Sequence, residues 1–164
     1  MRRTLELVLF AGFVGLILGC FPMRARQPET PAAVGPLTGD KEHTLEYWGK
    51  VREVMQLKSN SSELRQVAAV VQRQTDAVRS LHIDAVDKDL YVAALAVSQY
   101  QDKLLKATEA AGYNPAALRS DPDLKKTYTD SCQQIAAAIE RLKGLQPTLS
   151  ARYGVQFPSI GEKQ

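Results

Sequence analysis

The chain is poor in the residues that carry metal, redox and nucleophilic chemistry. Its only histidines are His43 and His82, and its only cysteines are Cys20 and Cys132. No HExxH, CxxC, CxxCH, P-loop or nucleophile-elbow pattern occurs. The densest set of possible ligands is His82 and Asp84 with Asp87 and Asp89, which lacks the ligand spacing of a calcium loop. It reads instead as a solvated loop whose acids cap a helix. A di-iron bundle would need Glu-x-x-His motifs on facing core positions, and none is present. A cysteine nucleophile needs a nearby base. Cys132 has no histidine in its own helical stretch, so it reads as a small buried hydrophobe. The expectation is no catalytic residue, no metal ligand and no cofactor.

Charge of one sign is also missing. The chain carries 21 basic and 18 acidic residues, interleaved, with no block of five or more like charges. That balance supplies no electrostatic reason to bind nucleic acid.

What is present begins at the N-terminus. Arg2 and Arg3 precede an apolar run of 17 residues, Leu5 to Phe21, interrupted only by Glu6. A basic n-region, an apolar h-region and a small residue at a cleavage point make an export signal. A helix crossing a hydrocarbon core needs roughly 20 apolar residues, and at least about 17. The run is therefore short for a span and suited to a signal. Its closing residues, Ile17-Leu18-Gly19-Cys20, resemble the lipobox of bacterial prolipoproteins, with Leu18 bulkier than the usual residue. The resemblance covers these four residues only. It implies cleavage between Gly19 and Cys20, acyl chains on Cys20, and a place in the cell envelope on a membrane surface outside the cytoplasm. The competing reading is an uncleaved signal-anchor. Arg24 and Arg26 beyond the run compete with Arg2 and Arg3 under the positive-inside rule, so that rule does not fix orientation.

Residues 1–19 thus read as signal peptide or anchor. Residues 20–39, with Pro22, Pro28, Pro31 and Pro36, read as a proline-rich tether. Such linkers are extended and semi-rigid, near 3 Å per residue. Residues 40–164 read as one domain.

Apolar residues in that domain recur at three- and four-residue steps, the period of an amphipathic helix. The first helix is expected over 41–57, with Thr38 or Asp40 as cap and Leu45, Trp48, Val51 and Met55 inward. The second is expected over 62–81, with Asn60 and Glu63 approximating a capping box. Its seam is Leu64, Val67, Val71, Gln74, Val78 and Leu81, and Gln74 either pairs across the bundle or yields its place to Thr75. A new register after Asp87 sets the third helix at 88–111, capped by Asp87 and ended by Gly112. A short helical turn over 115–119 follows. Asp121-Pro122-Asp123 then starts a helix over 122–144, its seam Leu124, Tyr128, Ser131, Ile135, Ala138 and Leu142. Gly144 and Pro147 are expected to stop it, leaving 148–164 to pack across the bundle and fray.

The expected fold is all-α: an up-and-down antiparallel bundle of three to four helices behind an anchor and a tether. Anchor, tether and a bundle without catalytic groups suggest a non-catalytic envelope lipoprotein, structural or binding an envelope protein partner. The alternative is a ligand-sensing bundle that holds a small molecule between helices near Tyr100 and Tyr128. There the small residues Ala93, Ala107 and Ala138 either leave room for a ligand or allow close helix packing.

Overall fold

The computed structural model describes residues 38–161, and the described residues are all-α. Cys20, the apolar run and most of the tether lie outside them. Five helices follow in order: α1 Lys41–Met55, α2 Leu64–Arg79, α3 Lys88–Ala110, α4 Pro115–Ser120 and α5 Pro122–Tyr153. The fifth, beyond the three to four expected, is the six-residue α4, which occupies the predicted turn after Gly112.

Helix starts follow side-chain chemistry. The Asp40 carboxylate accepts from the amides of Glu42 (2.8 Å) and His43 (3.0 Å). Asp87 does the same for Asp89 and Leu90, and Asp121 for Asp123 and Leu124. Each satisfies amides that the helix itself leaves free, and its negative charge suits the positive end of the helix dipole. The start of α2 differs from expectation. Its N-cap is Glu63, whose side chain caps nothing, so the Asn60–Glu63 capping box does not form. The nearby serines take the local backbone bonds instead. Ser59 Oγ accepts from the Ser61 amide at 3.1 Å, and Ser61 Oγ from the Glu63 amide at 3.1 Å.

The end of α3 is a Schellman turn. Gly112, at φ 61°, donates to the Glu109 carbonyl (2.7 Å), and Tyr113 donates to Thr108 (3.0 Å). Gly112 is thus the C′ residue that the sequence suggests, and the positive φ explains why glycine stands there.

The last helix overturns one expectation. Gly144 and Pro147 do not stop α5, which runs on to Tyr153 and ends at Gly154 in the left-handed region (φ 66°). A proline inside a helix removes one hydrogen bond and crowds the carbonyl four residues back, at about 3 kcal/mol. Pro147 lies on the exposed face, where water can reach the Lys143 carbonyl it leaves unbonded. On the opposite side Leu149 is fully buried and Tyr153 nearly so. Burying a leucine contributes about 1.5–3 kcal/mol, so the two buried side chains outweigh the proline. The seam that ends at Leu142 in the sequence reading continues through Leu145, Leu149 and Tyr153.

Packing centres on α3, which lies chiefly against α5 and then against α2, while α4 packs on α5. Trp48 and Tyr47 of α1 are buried in the main core with Leu90, Leu142, Leu149 and Phe157. Trp48 meets Phe157 edge to face at 5.6 Å and donates its indole N–H to the Pro158 carbonyl (2.7 Å). Gln146 donates to the Phe157 carbonyl (2.7 Å). The residues after Gly154 are therefore folded back onto the core through Phe157 and Ile160, both buried. Trp48 fills space there, as an aromatic at helical spacing should.

Between α2 and α3 both options for Gln74 are realised. Gln101 donates to Gln74 (2.8 Å), and Thr75, fully buried, donates to Gln101 (3.2 Å). A buried amide with its bonds made fixes helix register where an apolar pair would slide.

Leu149→Ala should destabilise the protein by about 2–5 kcal/mol in urea unfolding, the range for a truncated core leucine. An effect below about 0.5 kcal/mol, typical of a surface position, would place Leu149 outside the core.

Candidate functional site

The most concentrated polar chemistry in the described residues surrounds Asp87. This N-cap of α3 is fully buried. Its Oδ1 caps α3, and its Oδ2 accepts from three side chains: Arg152 Nη1 (2.6 Å), Tyr153 Oη (2.9 Å) and Thr38 Oγ1 (3.0 Å). The Asp87 amide donates to Thr44 Oγ1 at 3.0 Å. Arg152, also buried, extends Nη2 to Asp89 at 3.1 Å. Charged bonds of this kind are short and about twice as strong as neutral ones.

Each partner comes from a different part of the chain. Thr38 and Gly39 come from the stretch read as tether, Thr44 from α1, and Arg152 with Tyr153 from the last turn of α5. Tyr153 Oη also lies 3.4 Å from the Gly39 carbonyl oxygen, and the Asp40 amide donates to Ala85 at 2.6 Å. Gly39 must be glycine for reasons of space. A Cβ there would stand 2.5 Å from the Asp87 nitrogen and 2.6 Å from the Ala85 oxygen. Ala85 itself holds φ at 55°, a left-handed conformation that costs a non-glycine residue of order 1 kcal/mol.

Burial pushes the Asp87 carboxyl upward, but hydrogen bonds from Arg152, Tyr153, the Leu90 amide and Thr38 outweigh it, and the group sits below its ordinary value of 3.8. It stays a carboxylate at neutral pH, with every lone pair directed at a donor in the fold. That arrangement is a structural clamp with no proton to give and no open coordination position.

The sequence candidates lie around it as follows. Asp84 and His82 are exposed in the loop before α3, and Asp87 faces inward, away from them in role. Among the described residues, no three His, Cys, Asp or Glu side chains are grouped to hold a metal ion. His43 is exposed on α1, 3.9 Å from Asp40. Tyr91, Tyr100, Tyr113, Tyr128 and Tyr153 do not line one groove. Tyr91 tilts against Tyr47 at 6.1 Å, Tyr113 lies under the Arg65 guanidinium at 4.8 Å, and Tyr153 belongs to the clamp. Only Tyr100 and Tyr128 share a cluster, where they pack with Leu104, Cys132 and Ile135. Ala93, Ala107 and Ala138 are buried at helix contacts.

Cys132 is buried in that cluster. Burial pushes its thiol up to about 11, and the hydrogen bond with Tyr128 offsets only part of that rise. Burial, with Cys132 beside it, likewise carries the Tyr128 hydroxyl to about 12. A nucleophilic or redox-active cysteine needs the opposite shift.

Arg152 is the residue that sequence reasoning missed. Its signal was the continued period 142, 145, 149, 153 beyond Pro147, which places position 152 in a last helical turn, where a cation suits the dipole. Comparison of the sequence with protein-family models, with curated proteins and with solved structures gives no match.

Arg152→Ala should cost about 3–5 kcal/mol, because it leaves a buried carboxylate without its counter-ion. The pH dependence has a fixed sign: Asp87 has a lowered folded-state value, so its contribution is full above the ordinary carboxylate range and lost as pH falls below about 4. In urea titrations between pH 7 and pH 2, Asp87→Asn should flatten that acid loss, and an unchanged acid limb would refute the clamp. Cys132, for its part, should react with a thiol reagent at the rate of global unfolding. Rapid labelling of the folded protein would show it to be accessible.

Proposed function

We propose that this chain is a non-catalytic lipoprotein of the cell envelope, held on a membrane by acyl chains on Cys20 and presenting a helical module that binds another envelope protein. In this reading three to four of the helices form an up-and-down antiparallel bundle outside the cytoplasm. The observation that carries the proposal is the order of parts in the sequence: Arg2-Arg3, a short apolar run, Gly19-Cys20, and a proline-rich stretch leading into one helical domain. Small Gly19 lets a peptidase approach the backbone, and the prolines that follow suit the aqueous side of a bilayer. Among the described residues no helix is long and apolar enough to cross a membrane. Each acyl methylene buried in lipid contributes about 0.8 kcal/mol, and stable attachment takes more than one chain.

The chemistry of the described residues supports a module without catalysis. The buried acid is committed to Arg152, the buried thiol is held protonated by its surroundings, and the histidines stand singly on the surface.

Intact mass of the membrane-extracted protein tests the anchor. The expected species starts at Cys20 and carries lipid. Cys20→Ser should leave an unprocessed precursor. A dominant form that keeps Met1 through Gly19 and has no lipid adduct would establish the signal-anchor instead.

A further inference from the structure

Along the outer side of α3 one lane steps by four and three residues: Lys88, Val92, Leu95, Gln99, Asp102 and Lys106. That spacing keeps the six side chains on one face, in the pattern of a helix–helix seam. The face is open. Val92 is 44% exposed, Tyr91 beside it 46%, and Leu95 is half-buried. From Leu90 through Gln101 the helix carries no charged residue, although Tyr91, Val92 and Gln99 stand in solvent. The other side of α3 is already packed against α5 and α2. An uncharged outer face of about three turns is what a helix offers to another helix rather than to water.

The ends of the lane are charged, with opposite sign. Lys88 opens it, and Asp102 lies about 21 Å further along. The acids nearest Lys88, Asp87 and Asp89, are both paired with Arg152. Asp102 meets Lys106 at 3.1 Å and Arg79 at 3.5 Å, and its side chain stays 29% exposed. A carboxylate has about four acceptor sites, and exposed pairs of this kind contribute little, so a further cation fits there.

Two copies of this face can meet in two directions. In a parallel pair each residue of the lane faces itself, Lys88 against Lys88 and Asp102 against Asp102. In an antiparallel pair with its two-fold at Leu95, position 88 of one copy faces position 102 of the other. Lys88 and Asp102 then meet at both ends, and Val92 and Leu95 close the middle. Like charges penalise the first arrangement and opposite charges favour the second. The contact uses the same patch on both copies, so it closes at two.

We propose that a second copy of this chain covers the Val92–Leu95 face, with the two α3 helices antiparallel and Lys88 bridged to Asp102 at each end. One helix face of this length is small, so the association is weak and reversible. It does not depend on the lipid at Cys20.

Charge exchange between two full-length variants tests it, with sedimentation equilibrium in density-matched detergent as the readout. The parent chain should form a reversible dimer at about 0.1 mM protein. Lys88→Glu alone sets acid against acid at both ends, and Asp102→Lys alone sets cation against cation. Each should weaken dimerisation at least about tenfold. An equimolar mixture of the two variants has opposite charges at both ends again and should dimerise nearly as the parent does. That recovery also requires both variants to be folded. Val92→Asp should remove the association by placing a charge in the apolar middle. A parent chain that stays monomeric overturns the proposal. So does a dimer indifferent to all three substitutions, which would put the contact elsewhere. A mixture no tighter than either variant alone overturns it as well, and would assign the face to a different partner.

Discussion

A buried carboxylate must be answered by donors or it unfolds the protein that holds it. Asp87 is answered by five: the guanidinium of Arg152, the hydroxyls of Tyr153 and Thr38, and the amides of Asp89 and Leu90 at the start of α3. Removing two charges from water costs several kcal/mol each, and only good geometry with further hydrogen bonds recovers it. The geometry here draws residues 38, 44, 87 and 152–153 to one place. Other features depend on that place. Gly39 has no room for a side chain because the backbone before Asp87 lies against it, and Ala85 is held left-handed so that its carbonyl faces the Asp40 amide. The end of α5 is needed at the clamp, which gives the helix a reason to continue past Pro147.

Two kinds of core stabilise different parts of the molecule. Around Trp48, Phe157 and Leu149 the packing is apolar and non-directional, and it joins α1, α5 and the residues after Gly154. Between α2 and α3 the Gln74–Gln101–Thr75 bonds are directional. Burial supplies most of the free energy in such a fold, and satisfied polar groups choose among the arrangements that burial alone would leave nearly equal.

Much of the helical architecture could be read in the sequence, because its signals are local. Asp40, Asp87 and Asp121 each stand before an apolar period, and each caps a helix. Gly112 follows one and takes the positive φ that ends it. The seam of α5 through Leu142 is as the spacing suggests. Misreadings arose where a local rule competed with a distant partner. Pro147 is a helix stop by rule, and Leu149 and Tyr153 override it through contacts with residues a hundred positions away. Asn60 and Glu63 have the spacing of a capping box, but the chain enters α2 through serine turns that take those bonds first. The Asp87 clamp was half visible. Its capping role lies in the adjacent residues, while its pairing with Arg152 spans 65 positions, and the period that places Arg152 in a last helical turn does not name its partner.

The contact of Tyr153 with Gly39 joins residues 114 positions apart. For a flexible chain, bringing ends that far apart together costs about 4 kcal/mol in loop-closure entropy from length alone. The helices and their nearest-neighbour contacts form without that cost, since the turns between them are short. The contact between the two ends of the domain therefore rewards folding only after the rest has assembled, and it belongs to the late side of the folding barrier.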